Sequence, residues 1–147
     1  MIIDFDKDGL IELTPLTDSS GSFFDLDADG FVEQTGWVKA DDALLARDLN
    51  GNGVIDNINE LFGNDTTDGF IVLDALDSNN DNIISSADAA FGSLLVWRDL
   101  DGDAYSDAGE MQSLTSAGIA SIDLNYTALS NQKPVPGGFF QQAANRI

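Results

Sequence analysis

"DLNGNGVIDNINELFG", residues 48–63, begins as an EF-hand calcium loop and departs from that pattern at its end. Asp48, Asn50 and Asn52 hold positions 1, 3 and 5, Gly53 holds the sharp turn at 6, and Ile55 holds the apolar position 8. The acid that closes an EF-hand at position 12 is absent: Asn59 stands there, and Glu60 follows it. A decayed loop, a plain Asn-Gly turn and an intact loop of another design all remain open.

Four further segments carry the same D-x-[DN]-x-[DN] spacing: "DFDKDGLIE" from Asp4, "DLDADGFVE" from Asp25, "DSNNDNIIS" from Asp77 and "DLDGDAYSD" from Asp99. Most of the acids gather in these loops or at their closing positions. One loop is a coincidental turn; five together favour calcium. Alternate side chains in a tight loop converge their oxygens, the position 7 carbonyl adds another ligand, and a carboxylate near position 12 completes the set.

The candidate ligands follow from that spacing. Loop one offers Asp4, Asp6, Asp8 and the Leu10 carbonyl; loop two offers Asp25, Asp27, Asp29 and the Phe31 carbonyl. Both lack an acid at position 12; Glu12 and Glu33 fall at position 9, and Asp41 or Asp42 is expected to complete the set from outside. Loop three offers Asp48, Asn50, Asn52 and the Val54 carbonyl, with Asp56 near the ion and Glu60 as the closing acid. Loop four is the best EF-hand, with Asp77, Asn79, Asp81, the Ile83 carbonyl and Asp88 at position 12. Loop five has Asp99, Asp101, Asp103, the Tyr105 carbonyl and Glu110. Its Ala104 replaces the position 6 glycine, costing about 1 kcal/mol if φ is positive, so this site is expected to be weaker. Ile55 and Ile84, both at position 8, are candidates to pair two loops.

Composition narrows the chemistry. In 147 residues there are 26 acids, 6 bases, no His and no Cys, for a net charge of −20. Such a surface repels nucleic acid and anionic membranes. Imidazole and thiolate metal ligands are excluded, as is a Ser-His or Cys-His nucleophile from this chain alone. Oxygen ligands remain, suited to a hard cation. No apolar run is long enough to span a bilayer, and residues 1–15 lack the pattern of a signal peptide.

The expected fold is α+β: a single calcium-stabilised domain of short helices and strands around the loops. Strands are expected near 2–4, 10–13, 31–38 and 119–126, and helices at 41–47, 69–76, 86–96 and 107–116. Non-EF loops occupy 1–63, and an EF-hand-like pair occupies 69–116. Only residues 89–98 separate Asp88 from Asp99, so that pair shares one connecting helix. Phe23, Phe24, Phe31, Trp37, Phe62, Phe70, Phe91 and Trp97 are expected in the core. The module is placed at 1–128, with a tail at 129–147 that is partly loop. Clustered carboxylates repel without a cation, so the chain is expected to be loose without calcium and compact with it. Five ions would halve its charge.

Taken in order, "TGW" (35–37), "DDALLARDLNGNGVIDN", "ELFG", "LDSNNDNIISSADAAF", "VWRDLDGD" and "GIASIDLNY" resemble the self-processing module of RTX-type, FrpC-like secreted bacterial proteins. The resemblance covers about residues 2–126. It implies calcium-triggered cutting of an Asp-Pro bond just upstream, in which the Asp side chain attacks its own peptide carbonyl and leaves a cyclic anhydride. Water then opens the anhydride, or a lysine amine captures it as an Asp-Lys isopeptide. The implied partners are the upstream segment of the parent chain and lysines of other proteins, and the implied location is extracellular, as a monomeric part of a larger protein. The prolines here, Pro15, Pro134 and Pro136, follow Thr14, Lys133 and Val135, so no Asp-Pro occurs in this sequence and the catalytic Asp would lie upstream of Met1. Lys7, Lys39 and Lys133 are candidate acceptor amines, with solvated surface lysines as the plainer reading. The alternative function is a non-catalytic calcium-binding module of a large secreted protein or adhesin. A dockerin-like module leaves the first three loops unexplained.

Overall fold

The computed structural model describes residues 1–15, 22–64 and 66–125; the tail expected at 129–147 lies outside them. Ten strands of two to four residues appear among the described residues. They are β1 (Ile2–Ile3), β2 (Leu13–Thr14), β3 (Phe23–Phe24), β4 (Glu33–Gln34) and β5 (Trp37–Val38). The rest are β6 (Ala43–Ala46), β7 (Ile83–Ser85), β8 (Leu95–Trp97), β9 (Met111–Ser113) and β10 (Ser121–Asp123). The one α-helix among the described residues, α1 (Gly69–Asp74), is capped by the Asp68 side chain, which accepts the Phe70 N–H. Single 3₁₀ turns occur at Ile58–Glu60 and Phe91–Ser93.

The centre is a four-stranded antiparallel sheet in the order β1-β6-β8-β9. Side chains alternate across it. Ile3, Ala43, Leu45 and Val96 face one core, with Phe62, Phe70, Leu73, Ile84, Phe91 and Leu114. Ile2, Leu44, Ala46 and Trp97 face the other, with Phe24, Trp37, Ile55, Ile58 and Ala104. Trp37 and Trp97 meet edge to face at 5.5 Å between centroids, with Phe24 5.3 Å from Trp37. Three two-stranded sheets, β2-β5, β3-β4 and β7-β10, attach around this centre.

This arrangement corrects the expected α+β, EF-hand-bearing fold: the protein is built mostly of short strands in several small sheets. The 41–47 segment is strand β6, because a sheet covered on both faces needs a continuous apolar run that periodicity does not distinguish from a buried helix. The shared helix at 86–96 is instead a 3₁₀ turn followed by β8, so loops four and five are not an EF-hand pair. The helix at 107–116 is β9 and flanking turns, since Gly109 (φ +92°) interrupts any helix there. Helix 69–76 is present as the shorter α1, where Gly69 is required: a Cβ would stand 2.7 Å from the Phe62 carbonyl oxygen. The strand expected at 31–38 is two, β4 and β5, and that at 119–126 is β10. Phe23 (46% exposed) and Phe31 (74%) are outside the core.

Candidate functional site

All five loops share one backbone pattern. The position 1 carboxylate accepts the N–H of position 6: Asp4 from Gly9, Asp25 from Gly30, Asp48 from Gly53, Asp77 from Asn82 and Asp99 from Ala104, at 2.7–3.0 Å. Position 3 accepts from position 5, as Asn50 does from Asn52 and Asp6 from Asp8. Position 5 accepts from position 7: Asp8 from Leu10, Asp29 from Phe31, Asn52 from Val54, Asp81 from Ile83 and Asp103 from Tyr105. Positions 4 and 6 have positive φ throughout, including non-glycines Lys7, Ala28, Asn80, Asn82 and Ala104. These short-range bonds turn the side-chain oxygens of each loop inward.

A second carboxylate staples four of the loops shut. Glu60 accepts the N–H groups of Leu49 and Asp56, at positions 2 and 9 of loop three, at 2.9 and 2.7 Å. Asp88 does the same for Ser78 and Ser85, and Glu110 for Leu100 and Asp107. In loop one the staple comes from Asp42, which accepts from Phe5 at 3.2 Å and Glu12 at 3.0 Å. Of the two candidate acids, Asp42 is therefore the one that bonds the loop-one backbone. Loop two uses its own Glu33, which accepts the Leu26 N–H at 2.8 Å. The acid of loop three that arrives one residue late thus performs the same task as its counterparts, carried into place by the 3₁₀ turn that Asn57 caps.

The structure brings oxygen ligands together at several places. Carboxylate oxygens of Asp4, Asp6 and Asp8 lie within 4.8 Å of one another, as do those of Asp25, Asp27, Asp29 and Glu33. In loop five, Asp99, Asp101 and Glu110 form one such group and Asp101, Asp103 and Asp107 another. In loop three, Asp56 accepts hydrogen bonds from the side-chain amides of Asn50 (2.8 Å) and Asn52 (2.9 Å). In loop four the Asn79 amide donates to Asp81 at 3.0 Å. Asp42 stands outside the Asp4 group, with both oxygens on backbone N–H groups. The position 7 side chains of Leu10, Phe31, Ile83 and Tyr105 point to solvent.

Electrostatics mark the same places. Asp4 is buried, and its Oδ1 has no hydrogen-bond partner among the described residues. An orphaned buried acceptor of this kind costs about 1–3 kcal/mol, and a cation seated among Asp4, Asp6 and Asp8 would remove that cost. Burial pushes the Asp99 carboxyl up to about 6, against the hydrogen bonds from Ala104 and Gly102, and the Glu110 charge adds to the rise. Burial likewise raises Asp42. Asp107 is raised by partial desolvation and by the facing charges of Asp103, Asp101 and Glu110. Asp88 is held low by the N–H groups of Ser85 and Ser78. The all-oxygen donor set and this excess of negative charge fit a hard divalent cation.

A family model described as the SPM domain matches residues 1–144. The chain belongs to the SPM domain family. It is similar to the iron-regulated protein FrpA of Neisseria meningitidis serogroup C, at 48% identity over 134 residues. That match covers 86% of this chain and 12% of the relative, so this SPM domain spans only about an eighth of the longer protein. No helix among its described residues is long and apolar enough to cross a membrane.

Some residues of the SPM domain's loops were not singled out from the sequence. Ile55 does not pair with Ile84: its N–H donates to Ser106 Oγ at 2.8 Å, joining position 8 of loop three to position 8 of loop five. Ile84 pairs with Ile122 instead, on the opposite face of the central sheet. Asp107, at position 9 of loop five, shares that position with Asp56, which was the available signal.

Proposed function

We propose that this SPM domain binds several calcium ions, up to about five, and that binding drives its folding. The observation that supports this best is the repetition of one hydrogen-bond pattern in five loops, three of which gather carboxylate oxygens within 4.8 Å of one another. Bound calcium supplies the positive charge that clustered carboxylates lack, so binding free energy becomes folding free energy.

Membership of the family extends the reading to calcium-triggered self-cleavage of an Asp-Pro bond upstream in a longer parent chain. There the Asp Oδ attacks its own peptide carbonyl carbon, the C–N bond to proline breaks, and the proline nitrogen takes up a proton. The aspartyl anhydride left behind is opened by water, or by a lysine ε-amine to give an isopeptide. Attack by a neighbouring carboxylate benefits from high effective molarity. The domain's part is to hold that geometry once folded, as a monomer within a secreted bacterial protein, with lysines of other proteins as acceptors and no role for nucleic acid or membrane insertion. The second reading is a calcium-dependent structural module without cleavage.

The test joins the chain to an upstream segment ending in Asp-Pro and follows fragments by mass spectrometry in millimolar calcium and in EDTA. Calcium-dependent scission supports the first reading. Calcium-dependent folding without scission leaves the second. A circular dichroism spectrum in EDTA identical to that in calcium would sink the folding claim for both.

A further inference from the structure

Arg98 joins loop five to loop one. Its backbone N–H donates to the Glu110 carbonyl at 3.0 Å, so its main chain is fixed where loop five closes. Its guanidinium reaches the other way: Nε and Nη2 donate to the Ala40 carbonyl at 3.1 and 2.8 Å, and the group lies 4.8 Å from the centroid of the Phe5 ring. Phe5 and the segment at Ala40 are the two arms of the loop-one closure, because the Phe5 N–H donates to Asp42. One residue thus joins the main chain of Glu110, the closing acid of loop five, to Ala40 and Phe5, and Phe5 is itself bonded to Asp42, the closing acid of loop one.

Charge alone does not explain its position. A guanidinium beside two cation sites opposes cation binding by Coulomb repulsion, and the chain has only 6 basic residues. The planar fork and the stacked aromatic ring instead make a directional contact that lysine does not reproduce.

Resting on the calcium-binding reading above, we infer that Arg98 is a positioning residue that couples the two sites: closing loop five fixes Arg98, and Arg98 holds Ala40, Asp42 and Phe5 in the arrangement that loop one needs. Coupling of this kind is reciprocal, and raises affinity at either site by about 5- to 150-fold when the other is filled.

The loops carry their own reporters. The position 6 amides of Gly9, Gly30, Gly53, Asn82 and Ala104 each bond to the first acid of their own loop. A calcium titration followed by ¹H–¹⁵N NMR therefore reads the five sites separately. Arg98→Gln is expected to raise the Gly9 midpoint about tenfold while the Asn82 midpoint stays within about twofold, and Arg98→Lys, which lacks the planar fork, is expected to recover little of the loss. Asp99→Asn should weaken loop one in the wild-type background and leave it unchanged in Arg98→Gln. An unchanged Gly9 midpoint in Arg98→Gln overturns the coupling, as does a tighter one, which would show Arg98 to be a repelling charge only. A uniform shift of all five amides overturns it too, assigning Arg98 to general stability. If the wild-type amides do not respond to calcium, the binding reading itself fails, and this inference with it.

Discussion

The Asp42 Oδ2 atom accepts the backbone N–H of Glu12 at 3.0 Å, across 30 residues of chain. With its other oxygen on the Phe5 N–H, this buried carboxylate fastens both ends of loop one to the start of β6. Asp42→Ala removes both acceptors and leaves two N–H groups without them. The expected loss is about 2 kcal/mol or more, measured by denaturant unfolding in saturating calcium. Asp42→Asn, which keeps one acceptor, should lose about half as much; equal losses would mean that packing, not the staple, holds the loop.

Glu60 is the matching test in loop three. Both its oxygens are acceptors, Oε1 for Leu49 and Oε2 for Asp56. The side-chain amide of Glu60→Gln would point N–H at N–H on one side. Roughly a tenfold weaker calcium midpoint at the Gly53 amide is expected, equal to about 1.4 kcal/mol and within the range for losing a charge-assisted bond. Unaltered affinity would remove Glu60 from the site.

Positive-φ alanines separate strain from packing. Ala28 is exposed with φ +61°, whereas Ala104 has φ +62° but is buried in the second core. Relief of about 1 kcal/mol of left-handed strain is partly offset by glycine's greater unfolded-state freedom. Ala28→Gly should therefore stabilise by about 0.5 kcal/mol. Ala104→Gly also loses a buried methyl worth about 0.8 kcal/mol, so it should be neutral or slightly destabilising. Thermal unfolding of the two variants checks the difference. The sequence reading of Ala104 as a simple defect omitted its burial.

Without calcium, protonating Asp99 should favour whatever native structure remains. Burial sets Asp99 at about 6, while an unfolded Asp titrates near ~4. A raised folded value means the native state prefers the protonated form: its contribution is full below about pH 4 and is lost as pH rises through 6. In EDTA, the Asp99 contribution, taken as wild type minus Asp99→Asn, is therefore expected to fall by about 1 kcal/mol between pH 5 and pH 7.5, while the Met1 amine, lowered to about 5 by burial, acts in the opposite direction. Asp42 is shifted the same way; Asp88 is shifted oppositely, acting only in stronger acid. Unfolding curves of wild type and Asp99→Asn across this range check that difference.

The interior of each loop was legible in the sequence because its hydrogen bonds span at most five residues. Asp48 to Gly53 and Asn52 to Val54 are fixed by spacing and by the tolerance of Gly and Asn for left-handed backbone. So was the family. What surrounds the loops was not legible. "ALLA" at 43–46 reads equally as helix or strand, and only the cores on both faces of the central sheet make it β6. Asp42 closing loop one, Ser106 meeting Ile55 and Arg98 reaching Ala40 are contacts between distant segments. They depend on strand register, which local composition does not encode. Sequence by itself made five acidic turn loops; the sheet that carries them decided which loops touch, and which acids shut them.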